Sequence, residues 1–252
     1  MPAHAHAIGG GGYHVTSIDA PFLNLARNTR VLGVGPTRCG KSHLFRAILI
    51  PQRHVIVVDS KHRWTWDIAD ARYRRIVYTI EELVEALRAV EAAGDGAPVV
   101  FRPRRLTFED FDRGTGLAAK ERNRDLNRLW WLALERGWTL VYHDELSLDV
   151  SPTAFDSLQP MWRELVVTGE GLGVGMYAAS QRPKRIPLIA STEASNRFTF
   201  FLRDRSDQDT VQSYLGAEIP WDVLARNRHS FVWANDELTH SYAPLVPMRL
   251  AA

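Results

Sequence analysis

The sequence predicts an α/β fold in which helices flank a mostly parallel central sheet. Three observations predict it. Short apolar runs alternate with stretches of helical periodicity between Arg30 and Ala243, the alternation that parallel strands and crossover helices produce. The runs are nearly continuous in Val, Ile and Leu, as in Val55-Ile56-Val57-Val58, which suits strands buried on both faces. A glycine-bearing turn, Gly35–Ser42, separates the first run from the first helical stretch.

The elements follow in order. Arg30–Val34 reads as a buried strand and Lys41–Ile50 as the helix after the turn. His54–Asp59 is a second strand, Arg75–Thr79 a short one, and Glu81–Ala93 a helix closed by the Gly94-Asp95-Gly96 turn. Val99–Arg102 is a strand. A long helix covers Leu117–Arg136, with Leu126, Leu129, Trp130 and Ala133 on one face. Trp138–His143 and Val174–Ala179 are strands on either side of a helix at Ala154–Val167. Arg197–Leu202 is a strand followed by a helix near Gln208–Leu215. Ser230–Trp233 and Thr239–Ala243 close the sheet and lie near enough in sequence to pair as an antiparallel edge hairpin. Residues 1–12, rich in Ala, His and Gly, read as a flexible leader, and 13–252 as one domain. His4, His6 and His14 carry metal-ligating side chains, but a leader of this composition is read as disordered.

Composition sets bounds. The 252 residues are 45% hydrophobic and 24% charged, enough for a sizeable core without disulfide or metal staples. The single cysteine, Cys39, excludes an internal disulfide framework. A formal charge of +2 does not by itself announce a nucleic-acid partner. Of the 31 basic residues 27 are Arg, which suits bidentate phosphate contact but also follows from a GC-rich genome. No run reaches the roughly 18 apolar residues of a membrane span, and no signal peptide is evident.

Gly35-Pro36-Thr37-Arg38-Cys39-Gly40-Lys41-Ser42 fits G-x-x-x-x-G-K-[ST] throughout. Each element has a physical reason. Glycines let successive N–H groups turn inward around an anion, and the helix beginning at Lys41 adds its N-terminal partial charge. Lys41 is expected to neutralise the β- and γ-phosphates and the Ser42 hydroxyl to ligate Mg²⁺. Gly35, Pro36, Thr37, Arg38, Cys39, Gly40, Lys41, Ser42 and His43 are therefore the expected contacts of ATP, and the fold is expected to be a P-loop NTPase of the RecA/ASCE-like kind.

Such a loop needs a carboxylate at the tip of a nearby parallel strand. Thr139–Glu145 supplies one: Asp144 for Mg²⁺, with Glu145 beside it to polarise water. A solvated acidic turn is the alternative reading of this pair alone. His143 reads as a core or interface histidine. The strand Val174–Ala179 ends in Ser180-Gln181, and Gln181 is a candidate γ-phosphate sensor or water-orienting residue, with a simple strand-end cap as the alternative. Arg182, Arg197, Arg203 and Arg205 follow. A ring motor delivers a positive charge to its neighbour's nucleotide, and Arg203 or Arg205 is favoured for that finger over Arg197.

Together these pieces resemble the FtsK/HerA superfamily of DNA-pumping ATPases. The resemblance runs from about Val31 to Trp233. It rests on the loop, on Val57-Val58-Asp59-Ser60-Lys61, on Asp144-Glu145, on Ala179-Ser180-Gln181-Arg182-Pro183, and on Asn196-Arg197-Phe198 followed by Ser206-Asp207 and Leu215-Gly216-Ala217. Gly169-Glu170-Gly171 stands where many relatives carry Gly-Arg, which removes one finger candidate. The chain reads as a near-minimal motor core, similar to the genome-packaging ATPases of tailless, membrane-containing viruses. The resemblance implies ATP hydrolysis with Mg²⁺, double-stranded DNA as a partner, a homo-oligomeric ring such as a hexamer, a capsid or membrane vertex as docking point, and a soluble protein in the host cytoplasm or the virion. A conjugation or secretion coupling ATPase, a P-loop small-molecule kinase and a nucleotide-dependent switch are the other readings.

DNA contacts would be basic and independent of sequence. Three clusters qualify: Lys61-His62-Arg63-Trp64, Arg102-Pro103-Arg104-Arg105, and Lys120, Arg122 and Arg124. Trp64 and Trp66 are candidates for base stacking. A solvated charged surface is the alternative for each cluster.

Overall fold

The computed structural model describes residues 25–64, 75–107, 116–215, 218–227 and 229–236, together with the backbone of 240–244. The leader, the three leader-region histidines, Trp66, Gly216 and Ala217 lie outside the described residues.

The strands are β1 (Arg30–Val34), β2 (Val55–Val58), β3 (Ile76–Val77), β4 (Val99–Phe101), β5 (Leu140–His143), β6 (Gly175–Ser180), β7 (Asn196–Phe200), β8 (Ser230–Asn235) and β9 (His240–Pro244). Among the described residues they form one sheet in the order β3-β4-β2-β5-β6-β1-β7-β8-β9. Pairing is parallel from β3 to β7. β8 then pairs antiparallel with both β7 and β9, so the expected edge hairpin is present. β6 lies between β1 and β5, which sets the Ser180-Gln181 tip between the phosphate loop and Asp144.

The strands alternate their side chains between two cores, as pleating requires. Leu32, Ile56, Val58 and Val141 enter one core, and Val31, Val55, Val57 and Tyr142 the other. The first is covered by α2 (Ile80–Ala93), α3 (Leu117–Arg136) and α6 (Pro160–Thr168). The second is covered by α1 (Lys41–Leu49), whose Phe45 packs on Tyr142 and Phe198. Each fully buried Leu, Ile or Phe contributes about 1.5–3 kcal/mol.

α2 starts one residue before the expected position because Thr79 closes a capping box with Glu82. The helix expected at Ala154–Val167 is two: α5 (Phe155–Leu158) and α6, broken at Gln159. Pro160 disfavours helical geometry in the residue before it. The freed Gln159 side chain accepts from Ser151 N–H and donates to Asn123 and to the Asp149 carbonyl. Three short helices carry too few turns to show periodicity: α4 (Leu146–Asp149), α7 (Leu188–Thr192) and α9 (Trp221–Arg226). The helix near Gln208–Leu215, α8, begins earlier, at Arg205.

Candidate functional site

The phosphate loop leaves the end of β1 and enters α1. Gly35 N–H donates to the Ser180 carbonyl at 3.1 Å, tying the loop's start to the tip of β6. A Cβ on Gly35 would lie 2.6 Å from Phe200 Cβ and 2.8 Å from Cys39 Sγ, so this position has no room for a side chain. Gly40, at φ 106°, turns the chain into α1, a conformation other residues rarely adopt. Lys41 is buried, and its Nζ donates to the carbonyls of Gly35 and, at 2.9 Å, Pro36. Burial pushes its ammonium pKa down. Arg38, Ser42 and His43 are exposed on the rim.

β5 delivers the carboxylates. Ser42 Oγ donates to Asp144 Oδ1 at 3.3 Å, as does the Tyr142 hydroxyl. Burial raises the Asp144 pKa, Lys61 opposes the rise and Asp59 adds to it. A hydroxyl and a buried carboxylate are hard oxygen donors of the kind Mg²⁺ accepts, and that ion keeps most of its shell for water and phosphate oxygens. Among the described residues no three His, Cys, Asp or Glu side chains converge as a metal cage. The donor set therefore fits Mg²⁺ held with a nucleotide.

Glu145, the next residue, is 3% exposed. Its Oε1 accepts from Gln181 N–H at 2.9 Å and from the Ser147 hydroxyl at 2.7 Å. Its Oε2 pairs with Lys61 Nζ at 2.8 Å. The Gln181 side chain meets the loop: Thr37 Oγ1 donates to Gln181 Oε1 at 2.8 Å. The structure thus brings Glu145, Gln181, Thr37, Ser42 and Asp144 together from three separate stretches of chain.

The arginines divide. Arg197 lies toward the start of β7, in register with Leu32, and donates to the carbonyls of Ser191 and Thr192 at the end of α7. Its side chain is turned inward and only 13% exposed, whereas a finger must reach a neighbouring subunit. Arg203 follows the end of β7, level with the loop, and lines a cavity of about 530 Å³ shared with Pro36, Thr37, Gln181, Arg182 and Asp207. Arg182 is held by Asp207 at 3.0 Å and Asp204 at 3.3 Å. Arg205 is exposed and pairs with Asp209 one turn along α8.

His143 is a core residue. Trp130 Nε1 donates to its Nε2 at 3.1 Å, so Nδ1 carries the proton toward Asp149 Oδ2 at 2.8 Å. Asp149 also receives Arg122 at 3.0 Å and the Ser60 hydroxyl. Arg122 is therefore committed to the interior rather than to a DNA surface. Trp64 is corrected too. Asp59 accepts the N–H groups of Arg63 and Trp64, each at 3.0 Å. The chain folds back there, and Trp64 packs in the core on Tyr142 and under Arg46. Spacing in the sequence could not reveal the Lys61–Glu145 or Thr37–Gln181 pairs, since each joins residues more than 80 positions apart.

The same architecture occurs in solved structures. The genome packaging NTPase B204 from Sulfolobus turreted icosahedral virus 2, in complex with AMPPCP, matches 87% of this chain and 100% of its own, at TM-score 0.57 and 16% identity. VirB4 of Thermoanaerobacter pseudethanolicus matches 87% of this chain and 90% of its own, at TM-score 0.64 and 9% identity.

The chain has the P-loop ATPase fold that these structures share.

The pCW3 conjugation coupling protein TcpA matches 86% of this chain and 60% of its own, at TM-score 0.50 and 15% identity. No protein-family model and no curated protein matches the sequence. Among the described residues no helix is long and apolar enough to cross a membrane.

Proposed function

We propose that the chain is an ATP-hydrolysing motor that translocates double-stranded DNA, with genome packaging into a capsid as its task. The observation that carries the hydrolytic part is the convergence of Glu145 and Gln181 at the phosphate loop. Glu145 follows the metal carboxylate directly and is tied to the tip of β6, a place from which a carboxylate can take a proton from an attacking water. Gln181, held by Thr37, would orient that water. Lys41 would bind the β- and γ-phosphates, and Ser42 and Asp144 would hold Mg²⁺. When bound, the ion neutralises charge on the phosphate oxygens.

The fold likeness supports the DNA part, since B204 is a genome packaging NTPase and this chain spans its whole length. In a homo-oligomeric ring, Arg203 and Arg205 are exposed and available to a neighbour's nucleotide. The loop after β2 and the loop after β4 offer a shared basic surface to the DNA. A capsid or membrane vertex would be the docking partner.

The likeness to TcpA, a conjugation coupling protein, favours a second reading within the same fold, a conjugation or secretion ATPase. Phosphoryl transfer to a small molecule is less well supported, because Glu145 and Gln181 together serve a water nucleophile.

The test is the ATPase rate of the purified chain with Mg²⁺ at low salt, against duplex DNA of increasing length. A DNA motor is stimulated, and the stimulation grows with length. Equal rates with and without DNA overturn translocation. A response to DNA that ignores length supports a switch instead.

A further inference from the structure

Resting on that reading, we propose that Lys61 is a positioning residue that restrains Glu145, and that duplex DNA on the basic surface beside it draws Lys61 away and frees the glutamate for hydrolysis.

The Glu145 carboxylate takes three donors. Oε1 takes the Gln181 N–H and the Ser147 hydroxyl, and Oε2 takes the Lys61 ammonium. A carboxylate offers about four acceptor positions, so one is left on Oε2, and a water taking it must share that oxygen with the ammonium. The Gln181 bond is main chain at a strand tip, and Ser147 is two residues away, so neither partner travels far. Lys61 differs. Its side chain is 25% exposed against 4% for Glu145, so it reaches from solvent into the site. It is also a point charge on a flexible stem.

The backbone that carries Lys61 is fixed, which leaves the side chain as the movable part. Asp59, fully buried at the end of β2, accepts from Arg63 N–H, Trp64 N–H and Arg102 Nε. His62 N–H closes the turn onto the Asp59 carbonyl at 3.1 Å. The β4 loop is fastened to the same turn: Arg105 donates to the Lys61 carbonyl, and His62 Nε2 meets the Pro103 carbonyl at 2.8 Å. Lys61, His62, Arg63, Arg104 and Arg105 therefore form one basic surface, with Glu121 beside Arg104 as its acidic counterpart.

A carboxylate as buried as Glu145 does not lose its ammonium without replacement, because an unpaired buried charge is costly. A duplex carries one negative charge per roughly 1.7 Å of axis. Seated on this surface, it offers the ammonium another anion, while Glu145 keeps its two neutral donors. Hydrolysis is thereby low without DNA and high with it.

The experiment compares wild type, Lys61→Ala, Lys61→Arg and Glu145→Gln for kcat and KM(ATP), with and without saturating duplex DNA at low salt. Lys61→Ala is expected to raise the DNA-free kcat several-fold toward the DNA-saturated value, with KM(ATP) little changed and the stimulation ratio falling toward one. Lys61→Arg is expected to keep the ratio, since a guanidinium can also pair with Glu145. If Lys61→Ala fails to fold, Lys61→Gln is read in the same way. A Lys61→Ala chain that loses kcat in both conditions, or keeps the wild-type ratio, overturns the proposal while the hydrolytic reading stands. A wild type that hydrolyses without responding to DNA overturns it as well. A wild type as inactive as Glu145→Gln sinks the hydrolytic reading and this inference together.

Discussion

The main-chain N–H of Gln181 donates to Glu145 Oε1 at 2.9 Å, joining the tips of β6 and β5. The adjacency of these strands makes the bond: His143 and Ala178 are in register, so each chain overshoots its last pair by two or three residues and the tips meet. Glu145→Gln keeps an oxygen for this bond and removes the basic carboxylate. We expect ATP affinity within a few-fold of wild type and kcat lower by about 10²–10⁴-fold. Nucleotide titration and steady-state hydrolysis check both, and full turnover removes Glu145 from the mechanism.

Gln181 makes its second contact through the side chain, with Thr37. Gln181→Ala leaves the main-chain bond in place and removes the side-chain amide, with its Thr37 contact, that we propose orients water. The expected result is a fall in kcat of about 10²-fold with little change in KM(ATP), the pattern of an interaction made in the transition state. Equal activity, or a loss confined to KM, assigns Gln181 a strand-end role instead.

The elements of this site were legible to unequal degrees. The phosphate loop and Asp144-Glu145 are contiguous, so their residues are close by covalent necessity. Gln181 was legible because it ends an apolar strand. What it touches was not, because that depends on β6 lying between β1 and β5, and strand order leaves no local pattern. Long periodic helices such as Leu117–Arg136 were legible to the residue. The Gln159 break has a local signal in Pro160, which apolar residues on both sides of it mask. Arg122 and Trp64 misled for one reason: a basic or aromatic residue looks the same in sequence whether it faces solvent or is turned inward by a carboxylate elsewhere in the chain.

The Asp149 network behind the site yields a stability prediction. Asp149 is 1% exposed and serves Arg122, His143 and Ser60 at once. Asp149→Ala strands a mostly buried guanidinium and a buried imidazole N–H. The loss is expected to be about 3–5 kcal/mol, with Asp149→Asn costing less because its oxygen still accepts. Urea unfolding at constant m-value measures it. A loss below about 1 kcal/mol for the alanine variant means the network is not what holds α4 to β5.

Cys39 offers a pH-dependent probe of the loop. It is 3% exposed, and burial pushes its thiol pKa up while the nearby Lys41 ammonium works against that rise. The thiolate is the form that reacts, and a raised pKa leaves less of it at neutral pH. Alkylation should therefore be slow at pH 7 and still climbing at alkaline pH where the same thiol in urea-unfolded chain has levelled off. ATP with Mg²⁺ should slow it further, because a nucleotide on Gly35–Ser42 covers the loop and draws Lys41 from its bonds to Gly35 and Pro36. The rate follows one site, since Cys39 is the only cysteine. A folded-state profile that levels off at lower pH than the unfolded one contradicts the burial of Cys39, and reactivity indifferent to saturating ATP contradicts the nucleotide assignment of the loop.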